Sequence, residues 1–265
     1  MVRYVSFLLG AAAGALYYRE RRERVALERL GAATLESLLD AIDANNAETG
    51  AHVRRVAQYS LIIACSADLD ERMQHRVERV ALFHDIGKID EAISDIVKEQ
   101  KKLTPEERRA IMIHPIRGAE VLRPLAPFFP ELPEGVLSHH ERWDGTGYPR
   151  QLRGNAIPIE ARIVAIADTF DAITEARAYS RARSLETATR IIEDGRGTQF
   201  DPDLVDLFLS PPVMHDFERV LRREHAPRKA HGTRRQKTAT WSVPDITFRW
   251  RTPSPLLKRE DLTNP

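Results

Sequence analysis

What this sequence lacks narrows it before any motif is found. It has one cysteine in 265 residues, Cys65. That excludes a disulfide framework and a thiolate zinc site, and it fits a reducing compartment. Cys65 lies in the apolar helical run YSLIIACSADL and is expected to fill the core as a small apolar side chain. The chain has almost no charge excess, with 40 Lys and Arg against 39 Asp and Glu. No whole-molecule field therefore draws it to nucleic acid. Strand-like alternation is scarce, and there is no internal repeat. A long hydrophobic run is missing too. The nearest candidate, YVSFLLGAAAGALYY from Tyr4 to Tyr18, is fifteen uncharged residues. A bilayer takes roughly 17–25. Arg3 and Arg19 could lengthen the run by snorkelling, and Gly10 and Gly14 are spaced for close approach of two membrane helices. Arg19, Arg21, Arg22 and Arg24 follow at once and favour a cytoplasmic C-terminal part. A membrane anchor is the expectation for residues 1–18.

What is present is mostly helix. From Arg19 to Asp43 a charged sequence carries Leu27, Leu30, Leu35, Leu38, Leu39 and Ile42 on one apolar face. Thr104-Pro105-Glu106-Glu107 reads as a capping box. Gly87 is a natural helix stop, His114-Pro115 marks a break between two helices, and Ala161 to Thr174 is a strongly apolar helix. The fold class is all-α. After Pro211 the composition shifts, and residues 227–265 are rich in Pro, Thr, Arg and Lys without a sustained period. Disorder is expected there. Trp241, Phe248 and Trp250 among basic residues leave a nucleic-acid or membrane-surface role open, but a solvated tail is the commoner case.

The metal-type residues are concentrated. Glu48 and His52 are four apart and share one helix face. His84-Asp85, His114, His139-His140 and Asp168 follow, each flanked by core-forming residues. Imidazoles and carboxylates buried in this number are costly unless paired or bound to metal. A helical bundle can gather them at its centre. Without thiolate, iron, manganese, zinc or nickel suits the set, and a bridging carboxylate would hold a multinuclear centre suited to phosphoryl chemistry. His75, His215, His225 and His231 read as ordinary.

FHDIGKI, SHHERWDGTGYP, IADTFDAIT and RAYSRARS closely resemble the HD-GYP domain, a branch of the HD phosphohydrolases, over about Thr34 to Leu209. The resemblance implies a helical bundle around two or three divalent ions, iron or manganese. It also implies hydrolysis of cyclic di-GMP to pGpG, and onward to GMP, by attack of a metal-bridging hydroxide on phosphorus. It places metal ligands at His52, His84, Asp85, His114, His139, His140 and Asp168, with Asp85 bridging. Glu48 stands where a third metal would take a glutamate. Asp85 and Lys88 are the catalytic pair. Lys88, Gly147, Tyr148, Arg177 and Asp171 form the substrate side, Asp171 by orienting a ligand or a water unless it caps or pairs on its own helix. Tyr148 and Pro149 would line the entrance, whereas Trp143 is expected to pack locally.

Some family features are altered: Asn46 replaces a common Asp, KEQKK replaces a Pro-Gly step, and Ala178-Tyr179-Ser180 follows Arg177. These touch substrate grip. The expected organisation is an anchor at 1–18, a charged linker helix at 19–33, the catalytic domain at 34–212 and a basic, mostly disordered tail at 213–265. That places the domain on the cytoplasmic face of the inner membrane, or simply in the cytoplasm. No receiver-, GAF- or PAS-like stretch precedes the domain, so a signal would enter through the helix, the tail or a partner. The expected partners are cyclic di-GMP, a diguanylate cyclase domain and a second copy of the chain. Alternatives are hydrolysis of another cyclic dinucleotide or of pGpG, and a non-catalytic binding module.

Overall fold

In a computed structural model, the described residues are 2–45, 47–89, 104–175, 182–224, 242–243 and 246–247. Among them run helices α1 (Val2–Asn45), α2 (Ala47–Ser66), α3 (Glu71–Phe83), α4 (Pro105–Ile111) and α5 (His114–Leu122), then α6 (Glu131–Ser138), α7 (Ile159–Thr174), α8 (Leu185–Asp194), α9 (Pro202–Phe208) and α10 (Pro211–Glu224). The all-α expectation holds. Two-residue strands, Ser242–Val243 and Ile246–Thr247, pair antiparallel within the expected tail.

Local chemistry sets the helix starts. First-turn amides need acceptors, and short polar side chains supply them. Asp70 accepts the Met73 N–H before α3, and Ser184 that of Thr187 before α8. Thr104 and Glu107 form the capping box before α4.

The chain divides into two compact units, Met1–Ser37 with Gly232–Pro265, and Leu38–His231. In the second unit α2 packs against α3, α7 and α10, and α3 packs against α6 and α7. The Ile86–Ile89 turn after α3 lies on α5. The core is aromatic at its base. Tyr59, Phe170, Phe208 and Phe217 are wholly buried, with ring centroids 4.6 Å apart for Tyr59 and Phe217 and 4.9 Å for Phe170 and Phe217.

Four expectations change. The domain does not end at 212: residues 213–224 belong to α10, which buries Val213, Phe217 and Val220. Those three recur at helical spacing, a signal that the polar residues between them conceal. Cys65 is exposed, because α2 turns Ile63 and Ala64 inward and the next residue outward. Gly87 does not stop α3, which has already ended at Phe83. It allows a close approach instead: a Cβ there would collide with the His114 carbonyl and lie 2.6 Å from the Gly118 nitrogen. Finally, the charged helix read from Arg19 to Asp43 extends further and is α1, Val2–Asn45. Among the described residues no helix is long and apolar enough to cross a membrane.

Phe217→Ala should lower unfolding stability by about 3–5 kcal/mol in urea denaturation, since it opens a cavity under Tyr59 and Phe170. Cys65→Ser should stay within about 0.5 kcal/mol, as exposed positions do. An unchanged urea midpoint for Phe217→Ala would remove α10 from the core.

Candidate metal centre

Three histidines sit at helix ends, and each caps a helix while pointing at one carboxylate. The last carbonyls of a helix have no intrahelical partner. His84 follows α3, and its Nδ1 lies 2.7 Å from the Ala81 oxygen. His114 follows α4, with Nδ1 2.7 Å from the Ile111 oxygen. His139 follows α6, with Nδ1 2.6 Å from the Val136 oxygen. A carbonyl can only accept, so each Nδ1 carries the proton and donates it. In the neutral ring Nε2 is then a bare lone pair, the form a metal needs.

All three lone pairs face Asp85. Its Oδ1 lies 3.3 Å from His114 Nε2 and 3.9 Å from His139 Nε2. Its Oδ2 lies 3.5 Å from His84 Nε2 and 3.8 Å from His52 Nε2. Two donor groups result, Asp85–His114–His139–His140 and His52–His84–Asp85, and they share Asp85. Asp168 borders the second, with Oδ1 3.5 Å from His52 Nε2 and 4.0 Å from His84 Nε2.

The fit to metal ions can be tested on the donors themselves. His114 Nε2 and His139 Nε2 are only 3.1 Å apart. With both Nδ1 atoms protonated, two lone pairs meet there and repel unless a cation lies against them. Protonating His139 is no remedy. Burial, with His140, His84 and His114 around it, holds its imidazole well below the ordinary range. His140 is pushed down from 6.5 to about 3 by burial and by His114. His52 Nε2, His84 Nε2 and Asp85 Oδ1 are buried without a hydrogen-bond partner. Burial opposes ionising Asp85, yet Lys88 and His84 hold its carboxyl well below the usual carboxylate range. Burial would also lower His84, but the Asp85 carboxylate beside it wins and raises it. An anion ringed by imidazoles, two of them (His139 and His140) held neutral by burial, is a cation site, and the residues fit divalent metal.

His52 is the exception among the histidines, because it lies inside α2 rather than at a helix end. Its Nδ1 donates to Asp171 Oδ2 at 2.6 Å. Asp171 in turn accepts from Arg55, Nε to Oδ1 at 2.6 Å and a terminal nitrogen to Oδ2 at 3.0 Å. Asp171 is fully buried, so it backs a ligand rather than facing substrate. Burial opposes its ionisation, but the bonds from His52 and Arg55 keep its carboxyl low.

The remaining expected residues are placed as follows. Lys88 Nζ donates to Asp85 Oδ2 at 2.7 Å and is part-exposed. Glu48 is exposed in the first turn of α2 and joins neither donor group. Tyr148 does not stand free at the entrance. Its ring stacks on His140, with centroids 4.9 Å apart and planes 26° apart. Burial, then Asp85 and Asp168, push its phenol upward, so it stays protonated. Gly145 has φ +81°, and at Gly147 a Cβ would lie 2.6 Å from Glu141 Cα. Asp144 accepts from Arg142 and Thr146 and shapes the loop. Trp143 packs locally, under the Arg162 guanidinium at 5.7 Å. Arg177, Asn46, the KEQKK segment and Ala178-Tyr179-Ser180 lie outside the described residues.

Sequence reasoning missed two residues. Arg55 lies three after His52, one turn behind a ligand, just as Asp171 lies three after Asp168; that spacing was the available signal. Glu141 is buried beside the histidine pair and accepts the Arg150 N–H at 2.7 Å and the Leu152 N–H at 3.0 Å. It staples the loop. Its adjacency to two ligands pointed to the site without fixing this role.

The model of the HD domain family matches residues 36–204. The cyclic di-GMP phosphodiesterase response regulator RpfG of Xanthomonas campestris is 38% identical over 192 residues, 72% of this chain and 48% of that protein. The 3'3'-cGAMP-specific phosphodiesterase 2 of Vibrio cholerae is 38% identical over 175 residues, 65% of this chain and 33% of that protein. The chain thus spans half or less of these relatives' length. A crystal structure of a V. cholerae cyclic GMP-AMP-specific phosphodiesterase superposes with a TM-score of 0.52 at 23% identity, over 73% of this chain and 53% of that one. That likeness supports the helical fold. The chain belongs to the HD domain family, in its HD-GYP branch.

Proposed function

We propose that this chain is a metal-dependent phosphodiesterase that hydrolyses cyclic di-GMP to pGpG and then GMP, with iron or manganese as its metal. The observation that carries the reading is Asp85, whose two oxygens each face a separate set of imidazole lone pairs. That arrangement suits a bridging ligand. The names of its relatives support the substrate class. Divalent ions bound there would clamp the phosphate, lower the pKa of a water and stabilise the leaving oxygen.

The chain's own residues do the rest. His114, His139 and His140 would hold one ion, and His52 and His84 would hold the other with Asp168 beside them. Lys88, part-exposed next to Asp85, brings positive charge to where a phosphate gathers negative charge. Tyr148 keeps His140 in place by stacking. The loop from Glu141 to Leu152 is braced by Glu141 and Asp144, which keeps the rim of the site in one shape. A third ion at Glu48 would require that exposed carboxylate to join the centre. A second reading, hydrolysis of 3'3'-cGAMP, is favoured by relatives so named at 38% and 36% identity. A binding-only module is disfavoured, because every helix-end donor is present.

The assay that tests this separates the products of cyclic di-GMP and of 3'3'-cGAMP, using full-length protein loaded without oxygen with iron(II) or manganese(II). The expected result is pGpG and GMP from cyclic di-GMP, with a loss of at least 100-fold in Asp85→Asn together with loss of bound metal. Turnover that survives in Asp85→Asn would sink the centre. Faster turnover of 3'3'-cGAMP would select the second reading.

Acid should act on the metal-free chain in a defined direction. The folded state holds His140 near 3, while the unfolded chain protonates it near 6.5. The stability this withholds is fully present above 6.5 and is lost as pH falls toward 3, at roughly 1.4 kcal/mol per pH unit. His84 shifts the opposite way and offsets part of the loss. Comparing wild type with His140→Gln in urea at pH 7.5 and 5.5 cancels that offset. Wild type should lose more stability than the variant; equal losses would show that His140 titrates normally.

A further inference from the structure

We infer that Arg55 is a positioning residue that acts through Asp171 to fix His52, and so sets how tightly the His52 half of the centre holds its ion. The inference rests on the metal-centre reading above. Its basis is an asymmetry among the histidines, since His52 lacks the backbone support that His84, His114 and His139 have. His84, His114 and His139 are oriented by the backbone carbonyl of the turn behind them, at 2.6–2.7 Å. Those carbonyls are fixed by the helices. His52 has no such support. Its Nδ1 rests on a side chain from another helix, Asp171 of α7.

Asp171 needs a partner of its own. Its carboxylate is fully buried, and one imidazole donor would leave an uncompensated buried anion. Arg55 supplies the compensation. Its guanidinium donates to both carboxylate oxygens, Oδ1 at 2.6 Å and Oδ2 at 3.0 Å. A planar fork on both oxygens fixes the rotation of the carboxylate as well as its charge. The carboxylate plane then fixes the ring of His52. Neighbouring Arg54 cannot take over, since it is engaged with Asp43 and the Gly50 carbonyl. A lysine at 55 would place a point charge near Asp171 but could not span both oxygens. Loss of the fork should therefore loosen the His52–His84–Asp85 group and leave Asp85–His114–His139–His140 as it is.

The test is metal counting on the full chain. Metal-free wild type, Arg55→Met, Arg55→Lys, Asp171→Asn and His52→Ala are dialysed against manganese(II), and bound metal is measured by elemental analysis. Helical content is checked by circular dichroism. Wild type should bind two ions. Arg55→Met should weaken one of them by 10–100-fold and spare the other, matching the pattern of His52→Ala. Arg55→Lys should fall between wild type and Arg55→Met. Asp171→Asn keeps the shape and should give the Arg55→Met pattern, so it carries the test if the methionine variant does not fold. Two unchanged affinities in folded Arg55→Met would overturn the inference. So would equal weakening of both ions with a lowered urea midpoint, which is what a merely structural residue would give. A wild-type chain that binds no manganese or iron would overturn the metal centre itself, and the inference with it.

Discussion

The donor cluster in the unit Leu38–His231 depends on one buried anion. Asp85 lies just past the end of α3, where little solvent reaches it, and both of its oxygens face imidazole nitrogens. A carboxylate in that position is costly unless positive charge is near. Lys88, one turn on, supplies one positive charge at 2.7 Å. The remaining neighbours are imidazole rings, among which burial holds His139 neutral. Packing α3 against α6 and α7, and the Ile86–Ile89 turn against α5, brings those rings together. The close contact at Gly87 is part of the same constraint, because a side chain there would push the His114 turn away from Asp85.

The histidines serve the fold and the site with one hydrogen bond each. A helix end leaves carbonyls without partners, and a donor placed three residues on can satisfy one. His84, His114 and His139 do this for α3, α4 and α6. The bond that caps the helix also settles which nitrogen carries the proton. It follows that Nε2 is presented bare and that its direction is as rigid as the helix behind it. Preorganisation of this kind needs no second side chain. His52, placed inside a helix, does need one, and the Asp171–Arg55 pair is the substitute.

This division explains what could be read from the sequence. Candidate donors carried by short adjacent motifs were legible as a cluster: His84-Asp85, His139-His140, His114 before a proline, and Asp168 in an apolar run. Each is a polar residue where the surrounding pattern calls for core. The supports were less legible, because a support matters through its distance to another segment. Arg55 meets Asp171 across 116 positions, which no local pattern records. Glu141 stands beside the histidines in sequence, yet its burial and its two backbone donors make it a staple. The family resemblance put Tyr148 at the entrance, whereas its ring folds back onto His140. The end of the domain was misplaced for a different reason. Val213, Phe217 and Val220 keep helical spacing, but the charged residues between them resemble the tail that follows.

The same geometry ties metal to stability. With both rings neutral, two imidazole lone pairs 3.1 Å apart repel, and burial resists relief by protonating His139. The helices hold them there because α5 and α6 pack on each other through other residues, among them buried Leu122, Leu132 and Val136. The core therefore keeps a cluster that would separate if the rings were free. A cation against those nitrogens converts the repulsion into attraction, and part of its binding free energy then appears as folding free energy. An ion held at Asp85 would therefore act on the fold as well as on the site. The residues that bring the donors into register are the ones through which metal loading stabilises the bundle.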